Sequence, residues 1–303
     1  MTVTDNINLR SQRLEVEISA PGMAYHGTRF DWSGFITQVT LDGRHTFCVP
    51  ESYPPGEGTG GIGLCNEFGI DQPIGYDQVE PGELFPKLGI GLLRRQNRSA
   101  YDFFYPYEIR QLFPVGVESG PDWARFTVEP LECRGYAARL VKTVRLQAHG
   151  LEIAYELENV GQKALLTNEY VHNFTGIDRQ ALGPDYRLRF PYRVEIEKET
   201  ARGMEVVNFQ GEEVRISRTP TQAFYFCTQD FSRSAAPQWE LWLQSSGVGL
   251  CEADDFAPVR VGVWGTSHVV SAEIFVEVNV QPGQVQQWVR RYEFNDAESS
   301  NHL

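Results

Sequence analysis

The sequence predicts an all-β fold, a large antiparallel β-sandwich in a single domain. Three observations carry this reading. Apolar residues recur with period two, not 3.6, through much of the chain. Turn signals punctuate those runs at short intervals. No amphipathic segment of ten or more residues reads as a helix, and many short strands with frequent turns pack as a sandwich or barrel.

The strands are read in chain order. Arg13 to Ser19 (RLEVEIS) alternates apolar and polar side chains. Leu151, Ile153, Tyr155 and Leu157 alternate with Glu152, Ala154, Glu156 and Glu158, the pattern of a half-buried strand. Arg193 to Glu199 (RVEIEKE) alternates with a polar end, and Ile274 to Val280 (IFVEVNV) closes the series. Asp42-Gly43, Gly183-Pro184-Asp185 and Pro282-Gly283-Gln284 supply turns. Pro50 to Gly75 is rich in Gly and Pro and reads as long loops, because strand patterns continue on both sides. One domain over 13–295 follows, with 1–12 and 296–303 as loosely held termini.

The bulk properties bound the function. A chain of 303 residues, 41% hydrophobic and 22% charged, can bury a sizeable core without disulfides or structural metals. Its net charge of −13 repels phosphate backbones and argues against a nucleic-acid partner. The same charge weakly disfavours an anionic substrate unless a local basic pocket overrides it. Five cysteines are scattered without a CxxC pair, so reduced thiols in a cytoplasmic protein are expected, and no metal or other cofactor. The N-terminus has no apolar core of a signal peptide, and no run of 18 apolar residues suggests a membrane span.

Five segments carry a resemblance by their order and spacing. They are Gly34-Phe35-Ile36-Thr37-Gln38-Val39, Gly60 to Gly69 (GGIGLCNEFG), Pro86 to Leu92 (PKLGIGL), Leu166 to Phe174 (LTNEYVHNF), and Ser271 to Phe275 (SAEIF) followed by Pro282-Gly283 and Trp288. Together they resemble the galactose mutarotase-like superfamily of aldose 1-epimerases and hexose-6-phosphate epimerases. The resemblance implies the large supersandwich of that family. It also implies a glutamate base and a histidine acid that interconvert sugar anomers by opening the ring. The chain departs from the pattern at Thr59 and Leu92, where the hexose-phosphate branch has arginines, and at Leu88 and Glu169, where the family has histidines. Leu offers no charge-assisted bond, so a neutral hexose is favoured over a sugar phosphate as the small-molecule partner. Lys87, Arg94 and Arg95 lie close enough in sequence to substitute.

Glu273 is the candidate base, and the bland alternative is a solvated strand residue beside Glu277. His172 is the candidate acid, because imidazole exchanges protons near neutrality. The alternative is a histidine satisfied by a backbone carbonyl. Glu169 occupies the family's histidine position, three residues before His172. A regular strand puts those two on opposite faces, so both reach one site only across a bulge. Without a bulge, Glu169 and Glu273 would form a carboxylate pair with split pKa values. Asn173, Arg94, Asp178 and Asp254 are candidate sugar-binding residues, against turn or strand-end roles. Among Tyr101, Phe103, Phe104, Tyr105 and Tyr107, one ring is expected to stack on a sugar and the rest to be core. Trp264 and His268 can line the groove. Two other readings stay open. One is a carbohydrate-binding protein without chemistry. The other is a different sugar reaction, such as a lyase or another epimerase, for which Glu169, His172 and His268 offer metal-ligating atoms.

Overall fold

A computed structural model describes residues 6–229, 231 and 238–296. Among these, alternation writes two large antiparallel sheets. One runs in the order Ile7–Arg10, Leu14–Ser19, Phe35–Leu41, Gly63–Phe68, Leu165–Phe174, Val270–Val280, Arg260–Gly265, Phe224–Cys227, with His45–Thr46 paired to Phe35–Leu41. The other has ten strands, centred on Gly150–Asn159, Val285–Asp296 and Val248–Asp254. A three-stranded sheet, Leu84–Lys87, Gly91–Arg94 and Glu108–Leu112, stands beside them. No α-helix occurs among the described residues, which contain three short 3₁₀ turns, so no helix is long and apolar enough to cross a membrane.

The two large sheets face each other across one core. Leu151, Ile153, Tyr155 and Leu157 point into it, as the alternation requires. Val171, Ile274, Val276 and Val278 meet them from the other sheet. Phe47 against Phe294 (4.8 Å between rings) and Phe68 against Trp288 (6.4 Å) bridge the layers.

Two expectations change. RVEIEKE forms no regular strand: only Ile196 makes a bridge, to Thr228, and the segment then turns at 198–200. The segment meets the chain just after Phe224–Cys227, with the Glu197 amide donating to Cys227 and the Gln229 amide to Glu195, and the turn at 198–200 ends the pairing after that one bridge. The N-terminal segment is held more firmly than expected, since Ile7–Arg10 pairs with Leu14–Ser19 and buries Ile7 and Leu9. At the other end Asp296 closes a long strand and bonds Arg13 at 3.0 Å. Residues 1–5 and 297–303, where loose termini are also expected, lie outside the described residues.

The core is not wholly apolar. Arg290, on Val285–Asp296, crosses to the opposite sheet and donates to Glu169 at 2.7 Å and to the Ile274 carbonyl at 2.9 Å. Its other terminal nitrogen reaches Glu252 at 3.0 Å. The indoles of Trp288 and Trp239 donate to Glu169 and Glu252. Nearby, Lys142 pairs with Asp31 at 2.8 Å and donates to Asn66 at 2.7 Å. Charges this deep persist only when paired and hydrogen-bonded. Replacing Arg290 by Met leaves Glu169 and Glu252 without their cation. Urea unfolding of Arg290→Met is expected to show a loss of about 3–5 kcal/mol; a loss below about 1 kcal/mol would mean that the carboxylates do not depend on it.

Candidate active site

The site lies on the outer face of the nine-stranded sheet and is ordered by strand register. Leu165–Phe174 pairs with Val270–Val280 through Glu169 opposite Val276. The bridge between Thr175 and Val270 keeps the same register. His172 therefore stands opposite Glu273, and the His172 Nε2 lies 3.2 Å from Glu273 Oε1. On the flanking strands Cys65 pairs with His172, and Gly262 with Glu273. Two residues along, Glu67, Tyr170, Phe275 and Arg260 form a second row on the same face.

These rows floor a cavity of about 290 Å³, near the lower end of ligand-pocket sizes. Loops supply its walls. Arg29 comes from an irregular segment, Glu51 and Asp71 from the Gly- and Pro-rich loops, and Phe103 and Phe104 from the aromatic run. A side chain at Gly262 would crowd the site: a Cβ there would lie 3.2 Å from Glu273 Oε2 and 3.1 Å from the Tyr225 hydroxyl.

Aromatic rings fix the imidazole. His172 stacks on Phe174 at 3.9 Å, with Trp264 and Phe30 edge-on. Its Nδ1 is buried without a partner. Arg29 is held just as firmly. It donates to Glu67 at 2.7 Å, to the Tyr170 hydroxyl at 2.9 Å and to the Thr59 hydroxyl at 3.1 Å, with the Phe103 ring against its guanidinium. Thr59 thus receives an arginine from elsewhere in the chain. Lys87 stands behind, 3.5 Å from Glu67, and burial lowers its pKa to about 8.

Burial also decides the protonation of the central pair. It raises Glu273 to about 8, with Arg29 and Arg260 pulling the other way. It holds His172 well below its usual 6.5, and the positive charge of Arg29 adds to this. At neutral pH the pair thus keeps one proton, resting on the carboxyl.

The other predicted site residues go elsewhere. The register of Gly63–Phe68 against Glu169 to Phe174 is unbroken. With no bulge, Glu169 and Asn173 face the sandwich interior while Tyr170, His172 and Phe174 share the outer face, where His172 lines the cavity. Glu169 binds Arg290, and Asn173 donates to Glu252 and to the Ala272 carbonyl. The expected roles of Glu169 as a catalytic group and Asn173 as a sugar ligand are therefore corrected, and so is the carboxylate pair of Glu169 with Glu273. Asp254 is buried beside Arg290 (3.5 Å) on the far sheet, where burial and then Glu252 raise its pKa strongly. Arg94 sits on the three-stranded sheet paired with Glu108 at 3.3 Å, outside the cavity. Asp178 accepts from the Thr46 backbone at 2.9 Å and pairs with His45 at 2.7 Å. None of these three reaches the site. His268 contacts the Pro50 carbonyl through Nε2 (2.9 Å), so Glu169, His172 and His268 do not converge as metal ligands. Leu88 and Leu92 belong to the main core. In the aromatic run, Phe103 and Phe104 line the cavity, while Tyr101 and Tyr107 pack with Tyr76 and Phe85 in a small separate core. Arg29, Arg260, Asp71 and Tyr225 also line the cavity, and no motif in the sequence marks them. A signal existed for Arg260 and Tyr225, since both share strand parity with cavity residues, but Arg29 and Asp71 lie on irregular chain.

No family model and no curated protein sequence matches the chain. Its fold is the galactose mutarotase-like sandwich. A galactose mutarotase-like protein from Lactobacillus casei superposes with a TM-score of 0.61 at 12% identity, covering 96% of this chain and 100% of that one. A galactose mutarotase related enzyme from Lactobacillus acidophilus gives 0.59 at 11% identity, over 96% and 98%. An aldose epimerase homologue from C. elegans gives 0.56 at 12% identity, over 96% and 99%.

The protonation of Glu273 has a stability signature. Between about pH 4.5 and 8 the folded chain holds a proton that the unfolded chain has released, so this residue costs increasing stability as pH rises through that window. Glu273→Gln removes the cost. Thermal melts are expected to show the variant gaining on the wild type from pH 5 to pH 8 and levelling off above, by several kcal/mol at most. A difference that stays constant over that range would show that Glu273 ionises normally.

Proposed function

We propose that the protein is a carbohydrate-active isomerase of the aldose 1-epimerase type, with Glu273 and His172 as its acid–base pair. The observation that carries this reading is their 3.2 Å contact on the floor of the cavity. Anomer exchange needs a base at the anomeric hydroxyl and an acid at the ring oxygen. Both oxygens hang on the same carbon, so the two groups must stand side by side. In the proposed cycle Glu273, as carboxylate, takes the proton from O1. His172, as imidazolium, gives one to O5. The C1–O5 bond breaks with its electron pair going to O5, and C1 becomes an aldehyde. Rotation about C1–C2 and the reverse transfers close the other anomer. The proton resting on Glu273 reaches the imidazole across the same contact, so no exchange with solvent is needed to arm the pair. Bringing Arg29 and Arg260 to the site favours the carboxylate form, and a sugar that displaces water from the cavity strengthens these interactions. No metal or nucleotide enters this cycle.

Anomer exchange measured by NMR saturation transfer or polarimetry tests the reading. Glu273→Gln and His172→Ala are each expected to lower the rate by about 10²–10⁴-fold. Retained binding with no acceleration by the wild type on any aldose would instead favour a sugar-binding protein or a different sugar reaction.

The pH profile has a definite sign. The pair needs its single proton, which it loses as pH rises through about 8. The buried imidazole resists a second proton well below 6.5. The rate is therefore expected to hold from pH 6 to 7.5 and to fall above about 8. A rate that rises through pH 8 would mean that the carboxylate works without a protonated His172, and the paired mechanism would be wrong.

A further inference from the structure

We infer that the sugar taken by this cavity carries a carboxylate, which Arg260 binds in place of Asp71. This rests on the reading of the cavity as a sugar site. The preference for a neutral hexose rests on Thr59 and Leu92 at the arginine positions of the hexose-phosphate branch, and neither lines the cavity; Arg29 and Arg260 do.

The two arginines differ in what they have left to give. Each side-chain nitrogen of Arg29 already donates, to Glu67, Tyr170 and Thr59. Its charge is matched by Glu67 beneath it. Arg260 is held by stacking instead. Its guanidinium lies 3.7 Å from the Phe275 ring centroid, and Phe275 stacks in turn on Tyr170 at 4.3 Å. Stacking fixes the plane of the fork without using its N–H groups. Its Nε is buried and has no hydrogen-bond partner. Its salt-bridge partner is Asp71, 2.8 Å from Nη1, on a loop and with a side chain 60% exposed. A pair this open to water is weak and exchanges readily. A cation aligned in a cavity, under-satisfied, and closed only by a displaceable carboxylate is complementary to a ligand carboxylate.

Register places that group correctly for the reaction. Arg260 pairs with Phe275, and Glu273 pairs with Gly262. Arg260 and Glu273 are thus diagonal neighbours on one face, with Cβ atoms about 7 Å apart. Gly262 lies between them on the Arg260 strand, and both Arg260 and Glu273 line the cavity. In a pyranuronate the carboxylate and the anomeric hydroxyl hang from the two carbons flanking the ring oxygen. One ring therefore spans the diagonal, with its carboxylate at Arg260 and its anomeric carbon at Glu273 and His172.

The charge count favours a carboxylate over a phosphate. Glu51 and Asp71 also line the cavity. Glu51 is already satisfied by the Thr59 and Gly61 amides and the Thr59 hydroxyl. Once Asp71 is displaced, Arg260 offers one positive charge, which matches a carboxylate and leaves the second charge of a phosphate dianion uncompensated.

Calorimetric titration of the full chain with glucuronate, galacturonate, glucose, galactose and glucose 6-phosphate tests this, with anomer exchange measured on the same sugars. At least one uronate is expected to bind on the order of tenfold to a hundredfold tighter than its parent hexose, the range of a charge-assisted bond. Glucose 6-phosphate is expected to bind more weakly than that uronate. Arg260→Gln should abolish the preference, and Arg260→Lys should restore only part of it, because lysine lacks the fork. Asp71→Asn changes an exposed side chain, carries little folding risk and should tighten uronate binding by removing the competitor. Equal binding of uronate and parent hexose, tighter binding of the phosphate, an Asp71→Asn variant no tighter than wild type, or no binding of any sugar would each overturn the inference. Arg260-dependent uronate binding without anomer exchange would keep it and remove the epimerase reading. Exchange confined to neutral sugars, indifferent to Arg260, would do the reverse.

Discussion

The strand Leu165–Phe174 imposes the constraint on which both halves of the molecule depend. It pairs with Gly63–Phe68 in unbroken register from Glu169 to Phe174, and its register against Val270–Val280 is the same at Glu169 and at Thr175. Strict alternation therefore sends Glu169, Val171 and Asn173 inward and Tyr170, His172 and Phe174 outward. The inward set fastens the two large sheets through Arg290 and Glu252. The outward set brings His172 to the floor of the cavity and packs the rings of Tyr170 and Phe174 beside it. A slip of one residue would exchange the sets, placing an imidazole against the buried arginine and a carboxylate in the groove. The interior charges oppose such a slip, because buried Arg290 would lose Glu169.

That constraint explains which parts of the site were legible in the sequence. The all-β class, the pairing of long strands and the parity of Glu273 with Phe275 follow from alternation alone. Alternation also required Glu169 and His172 to part company unless a bulge intervened. What alternation cannot state is which face of a strand is the interior. Asn173 and Asp254 carry polar side chains that look like ligands, yet here they satisfy a buried guanidinium and its neighbours. Polar residues in a core are exceptions to the pattern from which faces are read, so a charged interior layer misleads the reading at the very positions where it occurs.

The cavity walls were hidden for a different reason. Arg29 sits in an irregular stretch and is brought to Glu67 and Tyr170 by loop closure. Asp71 lies on another loop and meets Arg260 across 189 positions of sequence. No local period encodes such meetings. The resemblance puts arginines at positions that Thr59 and Leu92 occupy here, and sequence proximity points to Lys87, Arg94 and Arg95 as substitutes. Thr59 instead accepts from Arg29. A guanidinium can be supplied to the same space from a different segment, because its long side chain reaches where a backbone does not go.

The electrostatics of the cavity follow from that substitution. Glu67, Tyr170 and Thr59 hold Arg29 close to the central pair, so His172 meets a positive charge as well as burial and both disfavour the imidazolium. The same cation favours the Glu273 carboxylate, while burial opposes it. Arg29 therefore acts in opposite directions on the two partners. It makes His172 a stronger acid and keeps Glu273 from becoming a permanently neutral one. Burial alone would leave the proton fixed on the carboxyl, and free exposure would give each group its solution pKa with no shared proton at neutrality. Between those limits, a pair 3.2 Å apart under one fixed cation holds a single proton that either group can release.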